Sequence, residues 1–144
     1  MALVSRVQDG KRLKKSVYHR LRKEQEATQP KVQASATAKF LRMSATKARA
    51  AANGVRGKDV GQALQTLMFS PKKSSRFIYK LLMSAIANAE NNLGLKSDNL
   101  YVSEIMVNEG PRMKRLWARS RGSGDIQQKR MCHVTLTVKD KNAK

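Results

Sequence analysis

The sequence predicts an α+β protein: a small domain of three helices and an antiparallel sheet, with a long protruding β-hairpin and a basic N-terminal extension. Apolar residues recur at helical spacing through the middle of the chain. Two segments rich in β-formers follow, at residues 100–107 and 133–138, separated by a stretch with little apolar material. A chain of 144 residues can build one core with an appendage, and is too short for two cores.

The N-terminal extension covers residues 1–36. Leu13, Val17 and Leu21 repeat at helical spacing, which predicts a basic helix with a narrow apolar stripe, suited at most to docking. The segment TQPKVQASATA at residues 28–38 contains a proline and small polar residues without periodicity, so we expect a linker there.

The globular domain is expected to comprise residues 37–110 and 132–140. AKFLRMS predicts a short strand, after which Ser44 can cap a helix through ATKARAAANGVR that closes at Gly57. Asp59 can cap a second helix, VGQALQTLMF, and Ser70 with Pro71 can open a third. The third helix, running to about Asn91, should be the spine of the core because its apolar face is broad, comprising Phe77, Ile78, Leu81, Leu82, Ala85, Ile86 and Ala89.

The segment at residues 111–131 is predicted to be an extended β-hairpin arm. It carries seven Lys or Arg residues against one Asp, and the strand HVTLTV follows it with apolar residues at alternate positions. If the flanking strands pair, the arm bends near RSRGSGD and projects roughly 30 Å. A two-stranded ribbon is marginal alone in water, so a partner must hold it. Residues 141–144 form a short tail.

The net charge of +20, with a pI near 10.8, favours a polyanionic partner. The excess is spread along the whole chain, and the acids that normally accompany a merely solvated basic surface are scarce. Cys132 is the single cysteine, which excludes an intrachain disulfide. The sequence predicts no metal, no cofactor, no membrane span and no signal peptide.

Two predicted helix starts carry cations where acids are normally preferred. Lys47 and Arg49 follow Ser44, and Lys72 and Lys73 follow Pro71. Cations are unfavourable at the positive end of a helix dipole unless an anion such as phosphate intervenes. The alternative to phosphate binding is that these basic residues lie by chance on a solvated turn. In the arm, cations can neutralise phosphates, and Trp117 can either stack on a base or pack on the domain.

No catalytic site is predicted. Cys132 and His133 are adjacent, but successive strand residues point to opposite faces, so a nucleophile and base pair is disfavoured. His19 has no carboxylate partner suggested by spacing.

Five motifs in order closely resemble the universal large-subunit ribosomal protein twenty-two family in its bacterial form, over about residues 38–140. They are SATKARAAANGVRGKDVGQAL, FSPKKSS, LLMSAIANAENN, VNEGPRMKRLWARSRGSGD and HVTLTVKD. The resemblance implies a structural protein bound to large-subunit ribosomal RNA near the outlet of the nascent-peptide tunnel. It also implies that the hairpin threads through RNA and lines the tunnel opposite the fourth large-subunit protein. The implied partners are ribosomal RNA, neighbouring ribosomal proteins and the nascent peptide, with the chain a monomer within a cytoplasmic ribosome and an organellar ribosome less expected.

The helix starts, the arm and the resemblance together predict the functional residues. The predicted RNA-binding residues are Lys39, Arg42, Lys47, Arg49, Lys72, Lys73, Arg76, Arg112, Lys114, Arg115, Trp117, Arg119, Arg121, Lys129 and Arg130. The predicted tunnel-proximal tip comprises Met113, Arg115, Trp117, Arg119, Ser120, Arg121, Gly122, Ser123 and Gly124.

An alternative is an architectural DNA-binding protein that inserts a basic β-ribbon into a groove. Such proteins usually act as symmetric dimers, so oligomeric state separates the two hypotheses. A charge distributed over all surfaces suits burial in folded RNA better than a one-sided DNA face.

Overall fold

A computed structural model describes residues 7–8, 11–12, 14–28 and 32–141, in two units that divide after Lys31. In the first unit, a short antiparallel pair, β1 (Val7–Gln8) and β2 (Lys11–Arg12), precedes helix α1 (Lys15–Thr28). The predicted basic helix is therefore confirmed. Within its apolar stripe Val17 is exposed and Leu21 half-buried, whereas Leu13 lies outside the described residues.

The second unit confirms the predicted α+β class, with three helices packed on a three-stranded antiparallel sheet. Its elements in chain order are β3 (Gln33–Leu41), α2 (Ala45–Ala52), α3 (Val60–Met68), α4 (Lys73–Leu93), β4 (Leu100–Ala118) and β5 (Gly124–Asp140). The strand order is β3-β5-β4, so β5 is central.

The inner face of the sheet is set by the alternation predicted for β5. Val134, Leu136 and Val138 are fully buried. On the neighbouring strand β3, Ala34 and Ala36 are also buried, and their small side chains let α4 pack closely on this edge. The linker predicted over residues 28–38 is therefore wrong from Gln33 onward. Pairing with β5 overrides the weak strand propensity of Ala and Ser.

Helix α2 is shorter than the sequence predicts. It ends at Ala52 with Asn53 as its C-cap, whereas the expected helix continued to Arg56. The chain then turns toward the sheet, where the N–H of Gly57 donates to the carbonyl of Val102 at 2.8 Å. Gly57 has a φ of 77°, which favours glycine and explains the turn at this residue.

The long helix α4 is the spine of the core, as predicted. Ile78 and Leu82 are fully or almost fully buried, although Phe77 at the edge of the apolar face is only half-buried. The predicted start at Ser70 and Pro71 is wrong, because the N-cap residue is Lys72. Ser70 instead accepts a hydrogen bond from the hydroxyl of Ser75 at 2.9 Å.

The N-cap residue of α3 is Asp59, as predicted, but its carboxylate makes no capping hydrogen bond. It forms an ion pair with the ammonium of Lys141 at 2.8 Å instead. This contact connects the start of α3 to the C-terminal end of the sheet.

The predicted hairpin arm is confirmed. Beyond the end of β3, strands β4 and β5 continue as a two-stranded ribbon, paired from Arg112 with Arg130 to Ala118 with Gly124. Residues 111–130 are all exposed. Seven residues per strand at about 3.3 Å each give a regular ribbon of roughly 23 Å.

Both outer strands carry β-bulges at the root of the arm. On β3, Lys39 and Phe40 together oppose His133, and on β4, Gly110 and Pro111 together oppose Met131. Bulges bend a strand and increase its twist, so the sheet changes direction where the arm begins. Phe40 has a φ of 57°, a conformation that costs a bulky residue roughly 1–3 kcal/mol.

None of the described helices is both long enough and apolar enough to cross a bilayer.

We expect Leu82→Ala to lower the free energy of unfolding by about 2–5 kcal/mol, because Leu82 is fully buried and its loss leaves a cavity. Leu116→Ala is the matched control, since Leu116 lies on the arm with 78% of its surface exposed. Its effect should stay within about 0.5 kcal/mol. Urea unfolding measures both, and equal destabilisation by the two changes would contradict the assignment of the core.

Candidate nucleic-acid interface

The start of helix α2 is capped by Ser44, as predicted. Its hydroxyl accepts a hydrogen bond from the backbone N–H of Lys47 at 3.4 Å, and the first turn contains no acidic residue. The side chain of Lys47 is exposed. The positive end of this helix therefore carries a cation and no compensating carboxylate.

The start of helix α4 repeats this arrangement. Lys72 occupies the N-cap position without a side-chain capping hydrogen bond, and Lys73 is the first helical residue. Both side chains are exposed, and the first turn again lacks an acid. Fixing lysines at this end of a 21-residue helix is electrostatically unfavourable unless an anion binds.

The two helix starts open into one cleft of about 600 Å³. Its lining residues come from both starts and from the end of β3; they are Arg42, Met43, Ser44, Lys47, Ala50, Lys72, Lys73 and Ser74. The fold thus combines two sets of cations and two helix dipoles in one place. Free helix N–H groups beside lysines form a suitable cradle for phosphate.

Arg42 also lines a second cleft of about 450 Å³ at the root of the arm. The other lining residues are Met113, Arg115, Lys129, Arg130 and Met131. Because one arginine borders both clefts, a cationic surface runs from the helix starts onto the arm. We call the first cleft, the second cleft and Arg42 between them the basic surface.

Register assigns the side chains of the arm to two faces, because directly paired residues share a face. One face carries Leu116 opposite Ile126, and the other carries Trp117 opposite Asp125. Cations occur on both faces; they include Arg112, Lys114 and Arg130 on the first, and Arg115 and Lys129 on the second.

The arm ends in a 3-10 turn over Ser120–Gly122. Arg121 and Gly122 both have positive φ, and the hydroxyl of Ser123 donates to the carbonyl of Ser120 at 2.8 Å. Behind the turn, the guanidinium of Arg119 pairs with the Asp125 carboxylate at 2.8 Å. One of the tip cations is thus partly engaged within the arm, whereas the side chain of Arg121 is exposed.

Comparison with known proteins identifies the family. The model of the family described as "Ribosomal protein L22p/L17e" matches residues 36–139. The large ribosomal subunit protein uL22 of Petrotoga mobilis is 65% identical over 141 residues, covering 97% of this chain and 95% of the relative. That of Thermotoga sp. is 56% identical, covering 90% and 82%, and that of Pseudothermotoga lettingae is 50% identical, covering 99% of both chains.

The chain belongs to the ribosomal protein L22p/L17e family.

Members of this family are structural ribosomal proteins, so the chain is a ribosome constituent and not an enzyme. The architectural DNA-binding alternative receives no support from the comparisons. The matched region contains the helix starts and the whole arm of this family member.

Some predicted RNA-binding residues have contacts within the protein. Arg49 donates from Nε and Nη2 to the carbonyl of Val107, at 3.3 and 3.0 Å, and so ties α2 to β4. Arg112 pairs with Glu109 at 2.9 Å at the root of the arm. This hydrogen bond, together with the charge of Arg112, holds the pKa of the Glu109 carboxyl below its ordinary value.

Three further predicted residues do not line the first cleft. Lys39 is exposed on the β3 bulge, and Arg76 is exposed in the first turns of α4 without lining the cleft. Trp117 is 55% exposed on the arm. Of its two predicted environments, packing on the domain is therefore excluded in this structure.

Sequence reasoning missed two residues of this region. Arg56 donates to the carbonyl of Ile105 at 3.0 Å, so the sheet edge is held by a second arginine beside Arg49. Phe40 is exposed, one residue after Lys39 and two residues before Arg42. Phe40 is exposed because of the β-bulge, and the position of this bulge depends on the pairing register of β3 with β5, which no local sequence pattern indicates.

The disfavoured Cys132 and His133 pair is absent. Cys132 is fully buried, and burial raises the pKa of its thiol, so the reactive thiolate is suppressed. His133 points elsewhere, accepting a hydrogen bond at Nδ1 from the backbone N–H of Phe40 at 2.9 Å. Within the described residues, no group of three His, Cys, Asp or Glu side chains is arranged to hold a metal.

We expect the double change Lys72→Ala with Lys73→Ala to leave the thermal stability of the free protein equal or slightly higher, because repulsion with the helix dipole is relieved. Arg49→Ala is the contrasting control. It should lower the free energy of unfolding by about 1 kcal/mol, since hydrogen bonds to Val107 are lost. Melting curves by circular dichroism measure both, and a large loss of stability in the lysine variant would show that these lysines serve the fold.

Proposed function

We propose that this protein, a structural constituent of the large subunit of the cytoplasmic bacterial ribosome, binds large-subunit ribosomal RNA through the basic surface and the arm. The observation that carries the proposal is the convergence of Lys47, Lys72 and Lys73 on one cleft at two helix starts. The bacterial relatives are all large ribosomal subunit proteins, which supports the subunit assignment.

Phosphate is the ligand that best suits the first cleft. The dipoles of α2 and α4 and the exposed lysines all favour negative charge. A cleft of about 600 Å³, bordered by cations, is wide enough for a backbone segment to enter. Arg42 then lets the same RNA continue to the second cleft and onto the arm.

The arm is proposed to thread through folded RNA and to line the nascent-peptide tunnel opposite the fourth large-subunit protein. Its exposure on both faces supports a surrounding partner, because a ribbon packed on its own domain would bury one face. The tip, from Met113 to Gly124, would then lie next to the nascent peptide. The apolar pair of the arm, Leu116 and Ile126, 78% and 60% exposed, would become covered in that environment.

We expect RNA affinity to fall by about three to five decades between 50 and 200 mM salt if six to ten phosphates are neutralised. The measurement is filter binding of the full-length protein to a transcript of bacterial large-subunit rRNA. The double change Lys72→Ala with Lys73→Ala should reduce the slope of log K against log salt by about two. A nearly flat plot for the parent protein would contradict phosphate-dominated binding.

Shortening the arm tests its placement. Deleting residues 113–114 together with their register partners, residues 128–129, preserves strand pairing and retracts the tip by about 7 Å. Since the deleted residues lie outside the core, the variant should still fold and enter large subunits, but with altered tunnel width and altered crosslinking to nascent chains.

The matched comparison is the one-sided deletion of residues 113–115, which leaves three residues of β5 without register partners and should bend the arm. Cryo-electron microscopy of variant subunits measures the tunnel. Normal incorporation with parental tunnel geometry and parental crosslinking in both variants would overturn the tunnel assignment.

A further inference from the structure

The backbone of Phe40 is unusual for its residue type. Among the described residues, only Phe40 and Arg121 adopt positive φ without being glycine. Arg121 lies in the tight turn at the end of the arm, where such a conformation closes the hairpin. Phe40 lies within a strand, where a bulky side chain at positive φ is an outlier that the surrounding structure must enforce.

The bulge has a specific effect on Phe40. Alternation along β3 buries Ala34 and Ala36, and without the extra residue it would direct Phe40 to the same face. The bulge instead brings Leu41 against the core and leaves Phe40 59% exposed. The fold therefore exposes a phenylalanine that regular pairing would bury, at a cost in backbone strain.

The exposed ring is nevertheless held in place. The backbone N–H of Phe40 donates to Nδ1 of His133 at 2.9 Å, and the two rings meet edge to face with centroids 4.8 Å apart. The imidazole of His133 in turn lies close to the backbone of Gly110, where an added Cβ would be 3.2 Å from Nε2. A fixed aromatic ring that faces solvent loses little entropy when a ligand stacks on it.

The charges around Phe40 indicate the ligand. Lys39 precedes it in the bulge, and Arg42, which borders both clefts of the basic surface, follows two residues later. An exposed aromatic ring with exposed cations at the preceding residue and two residues later matches an unpaired nucleotide, whose base stacks while its phosphates are neutralised. A protein partner would need acidic residues to complement the same cations.

We propose that Phe40 is a stacking platform for an unpaired RNA base whose flanking phosphates are bound by Lys39 and Arg42. This inference rests on the proposed function and adds to it a contact that does not depend on salt. Lysines of the first cleft neutralise backbone charge, whereas Phe40 selects a place where a base is not paired.

The test compares Phe40→Leu with Phe69→Leu in the full-length protein, using a transcript of bacterial large-subunit rRNA over a series of salt concentrations. Phe69 is the matched control because it is also exposed, at 82%, but has no charged residue within two positions on either side, whereas Phe40 has Lys39 and Arg42. Phe40→Leu should raise Kd about 5- to 150-fold without changing the salt slope, and Phe40→Trp should restore binding. Phe69→Leu should leave Kd unchanged.

The variant Phe40→Gly distinguishes a role of Phe40 in RNA stacking from a role in the stability of the fold. Glycine accepts the positive φ, so the melting temperature should equal or exceed that of the parent while RNA binding falls as in Phe40→Leu. A lowered melting temperature with parental RNA affinity would overturn the proposal, because Phe40 would then serve the fold.

The proposal and the proposed function fail in different ways. If the lysine double variant changes the salt slope but Phe40→Leu binds as the parent does, RNA binding stands and the stacking platform is wrong. If the parent protein does not bind the transcript, the proposed function itself fails. A photoreactive phenylalanine at position 40 in assembled subunits should crosslink to rRNA, and crosslinking to a protein alone would also overturn the stacking proposal.

Discussion

The pairing of the central strand β5 with both of its neighbours is the interaction on which the rest of the structure depends. In the domain, β5 is paired on one side with β3 and on the other with β4, and its inward residues are fully buried. On the arm side of Cys132, over residues 124–130, β5 is paired only with β4. Every residue from 111 to 130 is exposed. One strand therefore belongs to a stable core at one end and to an unsupported ribbon at the other.

The change from three strands to two also organises the candidate interface. Where β3 leaves the sheet, its last residues form the bulge that exposes Phe40 and then lead to Arg42 and the start of α2. The cations thus concentrate at the root of the arm, beside the segment that needs external support. The phosphates of an RNA bound there would neutralise the cations at the two helix starts, and the same RNA would contact the arm.

Sequence reasoning succeeded where one local pattern decides the structure. The alternation of Val134, Leu136 and Val138 and the broad face of α4 predicted the sheet and the core correctly, because burial on one face dictates such periodicity. It failed for the early part of β3, since Ala and Ser have little strand propensity and only pairing with β5 makes that segment a strand.

The candidate site was predictable only in part, for a related reason. The unusual cations at each helix start can be recognised in the sequence. That Lys47 and Lys72 line the same cleft depends on how α2 and α4 pack. Likewise, an arginine that reaches a distant carbonyl, as Arg49 reaches Val107, cannot be distinguished by composition from one that is free to bind phosphate.

The central claim is that the domain part of β5 is stable in the free protein, whereas the arm is held by RNA, and amide hydrogen exchange tests this claim most directly. In the free protein, residues 132–138 should be strongly protected and residues 112–130 should exchange rapidly. Once the protein is assembled into large subunits, both segments should be protected. Strong protection of the arm in the free protein, or rapid exchange of the arm in the assembled subunit, would contradict the account.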